Sequence, residues 1–432
     1  MKRSRMIALA VLAAAAASAC LWLWPSRVPR ASGPLNHQAY VWQRAWTRHV
    51  RDAVAQAPSD LQPLVILGAE VRWSGSRPEV IRVSIDRQTV RAMGRPVGIA
   101  VRVGAYGGSF APDAPAGRCL SDLAGNLLDE AAAAQMPVSE LQLDFDCPES
   151  KLDGYRGWLL AIRSRVTPTP LTFTALPSWL DRRAFKRLAG AADGFVLQVH
   201  SLNPPERDAT QAALCDPAAA RRAVERAAQL AKPFRVALPT CGYLAAFDNA
   251  GKSLGISAEG PAPDWPADAV LREIRSDPAA MADLVSAWTV DRPAALKAVI
   301  WYRLPVRSDR MNWPMPTLRA VMAARPPLER LTARVAKAAD GAVEVALVND
   351  GEADAAIPRV VVVHWSGAAL LAADAMGGFR RMEATEGSLR FQGAADAGIH
   401  GRLAPEQRKI IGWLRLSKDT EVHAHVSTTN PQ

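Results

Sequence analysis

The chain has 432 residues, of which 49% are hydrophobic and 22% charged, and its formal net charge is +10. That balance excludes a disordered polymer and allows two or three domains, or one large barrel with an appendage. The positive charge raises nucleic acid as a partner. However, the arginines are scattered, with no basic stripe and no aromatic-interleaved run, so the balance points away from nucleic acid and toward anionic envelope polymers or lipid headgroups.

The N-terminus carries the clearest local signal. Lys2, Arg3 and Arg5 precede an apolar run from Met6 to Ala17, then Ala17-Ser18-Ala19-Cys20. This is the pattern of an export signal with small residues before the cut. Cys20 stands where a lipoprotein cysteine is acylated, although Ala17 replaces the usual leucine. Leu21-Trp22-Leu23-Trp24 prolongs the apolar run, so an uncleaved span is a third option. All three readings make residues 1–30 a signal or anchor. They place the body outside the cytoplasm, periplasmic or held to the inner or outer membrane through its N-terminus.

From residue 36 short apolar runs alternate with helical patterns, which predicts a parallel sheet with crossover helices. Eight strands are predicted: 40–46, 64–71, 98–104, 141–146, 171–176, 194–200, 234–239 and 297–304. Helices are predicted over 119–134, 152–165, 218–231 and 279–289, with an extra strand over 79–86 in the second unit. Residues 36–325 therefore read as a (β/α)8 TIM-type barrel. After Pro326 the texture changes to alternating strands with a hairpin signal at Ala339-Asp340-Gly341. Residues 326–432 read as a small C-terminal β-sandwich domain. With Cys20 assigned to the export signal, Cys119, Cys147, Cys215 and Cys241 remain, an even count that permits two disulfides in an exported protein.

Leu141-Gln142-Leu143-Asp144-Phe145-Asp146, followed by Leu152-Asp153-Gly154-Tyr155, resembles a bacterial family known as domain of unknown function 3142. Tyr40-Val41-Trp42-Gln43-Arg44 and Ile300-Trp301-Tyr302-Arg303-Leu304-Pro305 belong to the same resemblance, which covers roughly residues 38–320. The family implies no activity. A more distant likeness is to the chitinase-like glycoside hydrolases, whose fourth strand ends in Asp-x-Asp-x-Glu with the Glu as proton donor. Here Asp144 and Asp146 keep the alternation. Glu149 comes one residue late, so the likeness would require Asp146 to replace the donor or Glu149 to reach back.

Side chains alternate across a strand. Leu141, Leu143 and Phe145 should then face helices, while Gln142, Asp144 and Asp146 face the barrel axis. The same rule groups Ile66, Gly68 and Glu70; Gly98, Ala100 and Arg102; Val196, Gln198 and His200; and Val299, Trp301 and Arg303, with Tyr302 the alternative in the last strand. Active sites of such barrels lie at the C-terminal ends of the strands. The candidate catalytic residues are Asp146, Asp144 and Glu70. The candidate substrate-binding residues are Arg102, Gln198, His200, Trp42, Trp301 and Arg303, with Thr172 and Thr174 adding hydroxyls. A structural alternative is that Arg102 or Arg303 clamps Asp144 in a buried ion pair. The chain has 13 Trp against 5 Tyr and 9 Phe. Several tryptophans fall near predicted strand ends, where flat rings suit pyranose faces. The absence of a phosphate loop, a Gly-x-Ser-x-Gly elbow, a His-Glu-x-x-His helix and a Cys-x-x-Cys pair points to no cofactor and no metal. The sequence thus supports a glycan-directed barrel, either a glycoside hydrolase or a non-catalytic glycan-binding or scaffolding protein.

Overall fold

The computed structural model describes residues 28–75, 77–201, 213–258, 263–393 and 401–427. Residues 1–27, including Cys20, lie outside that set. Eight parallel strands close into a barrel: β1 Asn36–Val41, β2 Leu61–Ser74, β3 Val97–Val103, β4 Val138–Phe145, β5 Leu171–Ala175, β6 Gly194–Gln198, β7 Phe234–Pro239 and β8 Leu296–Tyr302. They pair in sequence order, and β8 returns to β1 to complete the ring. The helices are α1 Arg48–Ala55, α2 Arg87–Ala92, α3 Pro115–Ala133, α4 Leu152–Val166, α5 Arg183–Gly190, α6 Pro217–Ala228, α7 Pro278–Val290 and α8 Met315–Met322. One follows each strand, which is the (β/α)8 architecture.

Local chemistry explains where several helices start. Pro217 and Pro278 stand at the first helical position, where a missing N–H costs nothing. The Asp216 carboxylate accepts from the backbone N–H of Ala218 at 2.8 Å, and that of Asp277 from Ala279 at 2.9 Å, which satisfies otherwise orphaned donors. In α4, Leu152, Tyr155, Trp158, Leu159, Ile162 and Val166 form the buried face. Tyr155 and Trp158 pack on Phe145 at ring separations of 5.3 and 5.9 Å, which fixes Phe145 toward the helices.

Two excursions modify the barrel. β2 runs on beyond the ring and folds back against Arg77–Arg82. After β7, Gly242–Phe247, Ser253–Ser257 and Val270–Arg275 form a three-stranded antiparallel sheet beside the C-terminal mouth, with its own core of Leu214, Tyr243, Ala245, Phe247 and Ile274. The sequence did not signal this sheet, because its strands are short and polar residues break the pattern. The first strand is also displaced: Asn36–Val41 pairs, whereas 40–46 was predicted, so Trp42 lies just past the strand rather than within it. Asn36, His37 and Gln38 hide that strand behind polar side chains.

The C-terminal region is antiparallel. Strands β9 Leu331–Lys337, β10 Val343–Asn349, β15 Arg408–Leu416 and β12 Leu370–Ala375 form one sheet. Strands β13 Phe379–Arg381, β14 Ser388–Gly393, β11 Val360–Trp365 and β16 Val422–Val426 form the other. Val345, Leu347, Val361, Val363, Leu389, Phe391, Ile411 and Leu414 make one core cluster. Glu352 fastens this domain to the barrel: its carboxylate accepts from Arg325 at 2.6 Å and from the Leu328 N–H at 2.8 Å, while its carbonyl accepts from Thr317 at 2.6 Å. The Arg325 guanidinium and the Leu328 N–H hold its pKa down at about 2.

Candidate active site

The barrel axis has a closed floor. Glu140 on β4 and Arg235 on β7 face each other as a two-point pair, Nη1 to Oε1 at 2.5 Å and Nη2 to Oε2 at 2.6 Å. Thr172 donates to Glu140 at 2.7 Å, and Arg235 also donates to Gln38 at 2.7 Å. Burial alone would raise the Glu140 pKa, but the Arg235 guanidinium and the Thr172 hydroxyl hold it below the ordinary range. Gly98 makes room for this carboxylate, since a Cβ there would lie 3.0 Å from Glu140 Cγ. Neither Glu140 nor Arg235 was among the sequence candidates. Arg235 was legible as the one charged residue of an apolar strand, whereas Glu140 lies one residue before the predicted start of its strand and alternates with Gln142 and Asp144.

Two inward positions nearer the mouth, Glu70, Arg102 and Asp144 stand in register on three neighbouring strands. Thr174 on the next strand donates to Asp144 Oδ1 at 2.9 Å and accepts from the Phe145 N–H at 3.2 Å. This fixes the Asp144 carboxylate beside its own backbone. Glu70 is buried and lies 2.5 Å from Arg44, 3.5 Å from Arg72 and 4.0 Å from Arg102. The predicted grouping of Glu70 with Ile66 and Gly68 fails. A bulge between Leu67 and Ala69 shifts the alternation, so Glu70 follows Val65 and Leu67 onto the axis. Gly68 instead approaches Ile99 and Leu127, and a Cβ would meet Ile99 Cγ2 at 2.8 Å.

Asp146 lies just beyond β4 and is solvent-exposed. Crowding around its carboxyl raises the pKa above its ordinary value, and Arg102 partly offsets the rise. Below it, Gln142 has no exposed surface. The Tyr40 hydroxyl approaches the Gln142 amide, yet no bond of ordinary geometry closes, and the polar atoms of both side chains go unsatisfied among the described residues. Such atoms cost about 1–3 kcal/mol each unless water or a ligand meets them. Gln198 sits at the end of β6, half-buried and level with Ala237.

An aromatic group completes this side. Tyr302 contacts Tyr40 at 6.0 Å and Trp42 at 5.8 Å, and its ring stacks on His200 at 5.4 Å. His200 Nδ1 lies 3.2 Å from the Ala237 carbonyl, which can only accept, so Nδ1 carries the proton. The atoms packed around the ring lower its pKa to about 4. Tyr302, the alternative in the last strand, is therefore the mouth residue, and Trp301 is not. Trp301 is fully buried on the opposite face, donating to His37 Nδ1 at 3.3 Å and packing on Trp313 at 6.1 Å.

Arg303 does not clamp Asp144. Its Nε donates to Asp309 Oδ2 at 2.9 Å, and the pair is buried within the loop after β8. The tryptophans do not form an open platform: Trp42, Trp46, Trp179, Trp301 and Trp313 are buried. Trp73 is half-buried against Tyr106, 4.3 Å between rings. Glu149 turns aside to Arg182, 2.5 Å away, and does not reach back to the mouth. No disulfide joins Cys119, Cys147, Cys215 and Cys241, which are thiols. Their settings differ: Cys119 is half-buried on α3, Cys147 is turned to the Pro148 carbonyl, Cys215 is in the barrel core, and Cys241 bridges through its backbone to Asn312. Burial pushes Cys147 and Cys215 up to about 12.

Residues 93–307 match the DUF3142 family, a domain of unknown function. The DUF3142 match takes in β3 through β8, hence Arg102, Asp144, Asp146, His200 and Tyr302, and leaves Glu70 and Trp42 outside it. Residues 332–417 match a second domain of unknown function, DUF8456, which covers most of the sandwich. No curated protein matches the sequence. Among solved structures, the spore cortex-lytic enzyme SleL of Bacillus cereus is 11% identical, with a TM-score of 0.48 over 68% of this chain and 75% of its own. A Chromobacterium violaceum chitinase is 13% identical, with a TM-score of 0.46 over 67% of this chain and 98% of its own. The GH18 chitinase ChiB of Flavobacterium johnsoniae is 11% identical, with a TM-score of 0.42 over 63% and 89%. The fold assignment rests on the closed strand order and not on these distant likenesses.

Proposed function

We propose that this is an exported, envelope-associated enzyme that cleaves a glycan at the barrel mouth, with Asp146 as proton donor and Asp144 as its partner. The observation that carries this reading is the setting of Asp146: an exposed carboxyl with a raised pKa at the C-terminal rim, beside a second carboxylate fixed by Thr174. A carboxyl that keeps its proton nearer neutrality can deliver it to a leaving oxygen. Asp144 then serves as nucleophile, as base, or as the group that steadies a substrate acetamide. Glu70 is the weaker third candidate, because three arginines surround it. Export rests on the N-terminal pattern alone.

A second reading, glycan binding without cleavage, is favoured by one observation. Pro148 stands where the chitinase-like pattern has its glutamate, and Glu149 is paired with Arg182. A glycan panel separates the two. Binding and release of reducing ends are measured for the protein and for Asp146→Asn. Release that the substitution abolishes, with binding kept, supports the enzyme. Binding without release by either protein supports the second reading, and silence in both removes glycan as the ligand.

A further inference from the structure

Three of the seven histidines of the chain lie together on the sandwich, far in sequence from the barrel mouth. His364 on β11 stands directly opposite His423 on β16, and His425 follows two residues along the same strand, opposite Val362. Alternation across β16 sends Val422, Ala424 and Val426 against the core, and leaves Glu421, His423 and His425 outward. All three histidines are exposed. The His364 and His425 rings are parallel, 5.2 Å apart and 7° from coplanar. His423 Nε2 is 3.3 Å from Glu421 Oε1. None of these rings packs into the core, so they add little to folding, and their convergence on one sheet face calls for another account.

We propose that this face binds a divalent late transition ion, zinc or copper(II), through His364, His423 and His425, with Glu421 as the fourth ligand. Opposed residues on antiparallel strands have Cβ atoms ~5 Å apart, and next-but-one residues on a strand are ~7 Å apart. Imidazoles on that frame can direct nitrogens to one ion at ~2.0–2.1 Å. Neutral imidazole is the preferred donor for these metals, and a carboxylate suits zinc as well. In the structure the rings stack and no three donors among the described residues meet at a point. Their exposure lets them turn about χ1 and χ2 without moving the core, so the ion selects rotamers and leaves the sheet in place. The inference is independent of the chemistry at the barrel mouth.

The test is calorimetric titration of the full chain with zinc chloride, then copper(II) chloride, near neutral pH. The protein is first stripped with chelator and its thiols are blocked, because the half-buried Cys119 is a competing soft donor. One ion should bind per chain. His364→Ala and His423→Ala should each weaken binding by at least about tenfold, with circular dichroism unchanged, while His49→Ala leaves it intact. Absence of saturable one-to-one binding, or equal affinity in the triple variant His364→Ala, His423→Ala, His425→Ala, would overturn the proposal.

Discussion

The floor and the mouth of the barrel are built from the same kinds of side chain, and Glu140 and Asp146 differ in how completely each carboxylate is met. At the floor, both oxygens of Glu140 are taken by Arg235 and Thr172, and Arg235 spends its remaining reach on Gln38. Four residues further along β4, Asp144 is held by Thr174, and two beyond that Asp146 is exposed with a raised pKa. A fully satisfied buried pair stabilises through geometry and has no proton to give. A crowded carboxyl on which only one arginine acts holds a proton more readily than an open one, the property that a proton donor needs. The comparison teaches that an acid on a barrel strand is diagnosed by the completeness of its partners, not by its position in the alternation.

That contrast can be broken from the floor side first. Glu140→Ala leaves Arg235 buried without its counter-ion, and should cost about 3–5 kcal/mol in a denaturant melt. If it costs less than about 1 kcal/mol, the floor is not a structural pair. His37 gives the next effect. It accepts from Trp301 and donates to the Met322 carbonyl, so both neighbours are met only by the neutral ring, whose pKa burial lowers to about 4. The unfolded chain takes up a proton near pH 6.5 while the folded chain does not. Stability is therefore full above pH 6.5 and falls as pH drops toward 4, by about 3 kcal/mol for this residue. His37→Gln, which can keep both bonds, should lose that part of the slope.

Smaller changes sharpen the same division. Gly98→Ala puts a Cβ 3.0 Å from Glu140 Cγ and from Val65 Cγ2, and should cost about 1–3 kcal/mol by crowding the floor. At the mouth, Arg102→Met removes the charge that offsets the crowding of Asp146. Any activity should then keep its alkaline limb to higher pH than in the wild type.

The barrel was readable because its strands are long apolar runs at regular intervals, and β7 was placed to the residue at Phe234–Pro239. What was misread follows from the alternation rule itself. The bulge at Gly68 reversed the parity of Glu70's neighbours, and β8 runs with Ala298, Ile300 and Tyr302 in register with the inward Arg235 and Gln38, the opposite parity to the Val299 and Trp301 set. The tryptophans near strand ends were read as a platform, but large apolar rings next to a barrel bury whenever a helix or loop can cover them. Arg303 found Asp309 six residues away, a local pairing that a strand-by-strand reading does not consider. Cysteine number carried no information about whether two thiols share a packing environment.

The most direct test of the mouth as the reactive end is the pH dependence of reducing-end release on any glycan the protein binds, for wild type and Asp146→Asn. The account predicts release that falls as pH rises through the raised Asp146 pKa. It predicts a loss of about 10²–10⁴-fold in the variant, with an unfolding midpoint unchanged because the floor is untouched. Release that persists in Asp146→Asn, with the same pH profile, would contradict it.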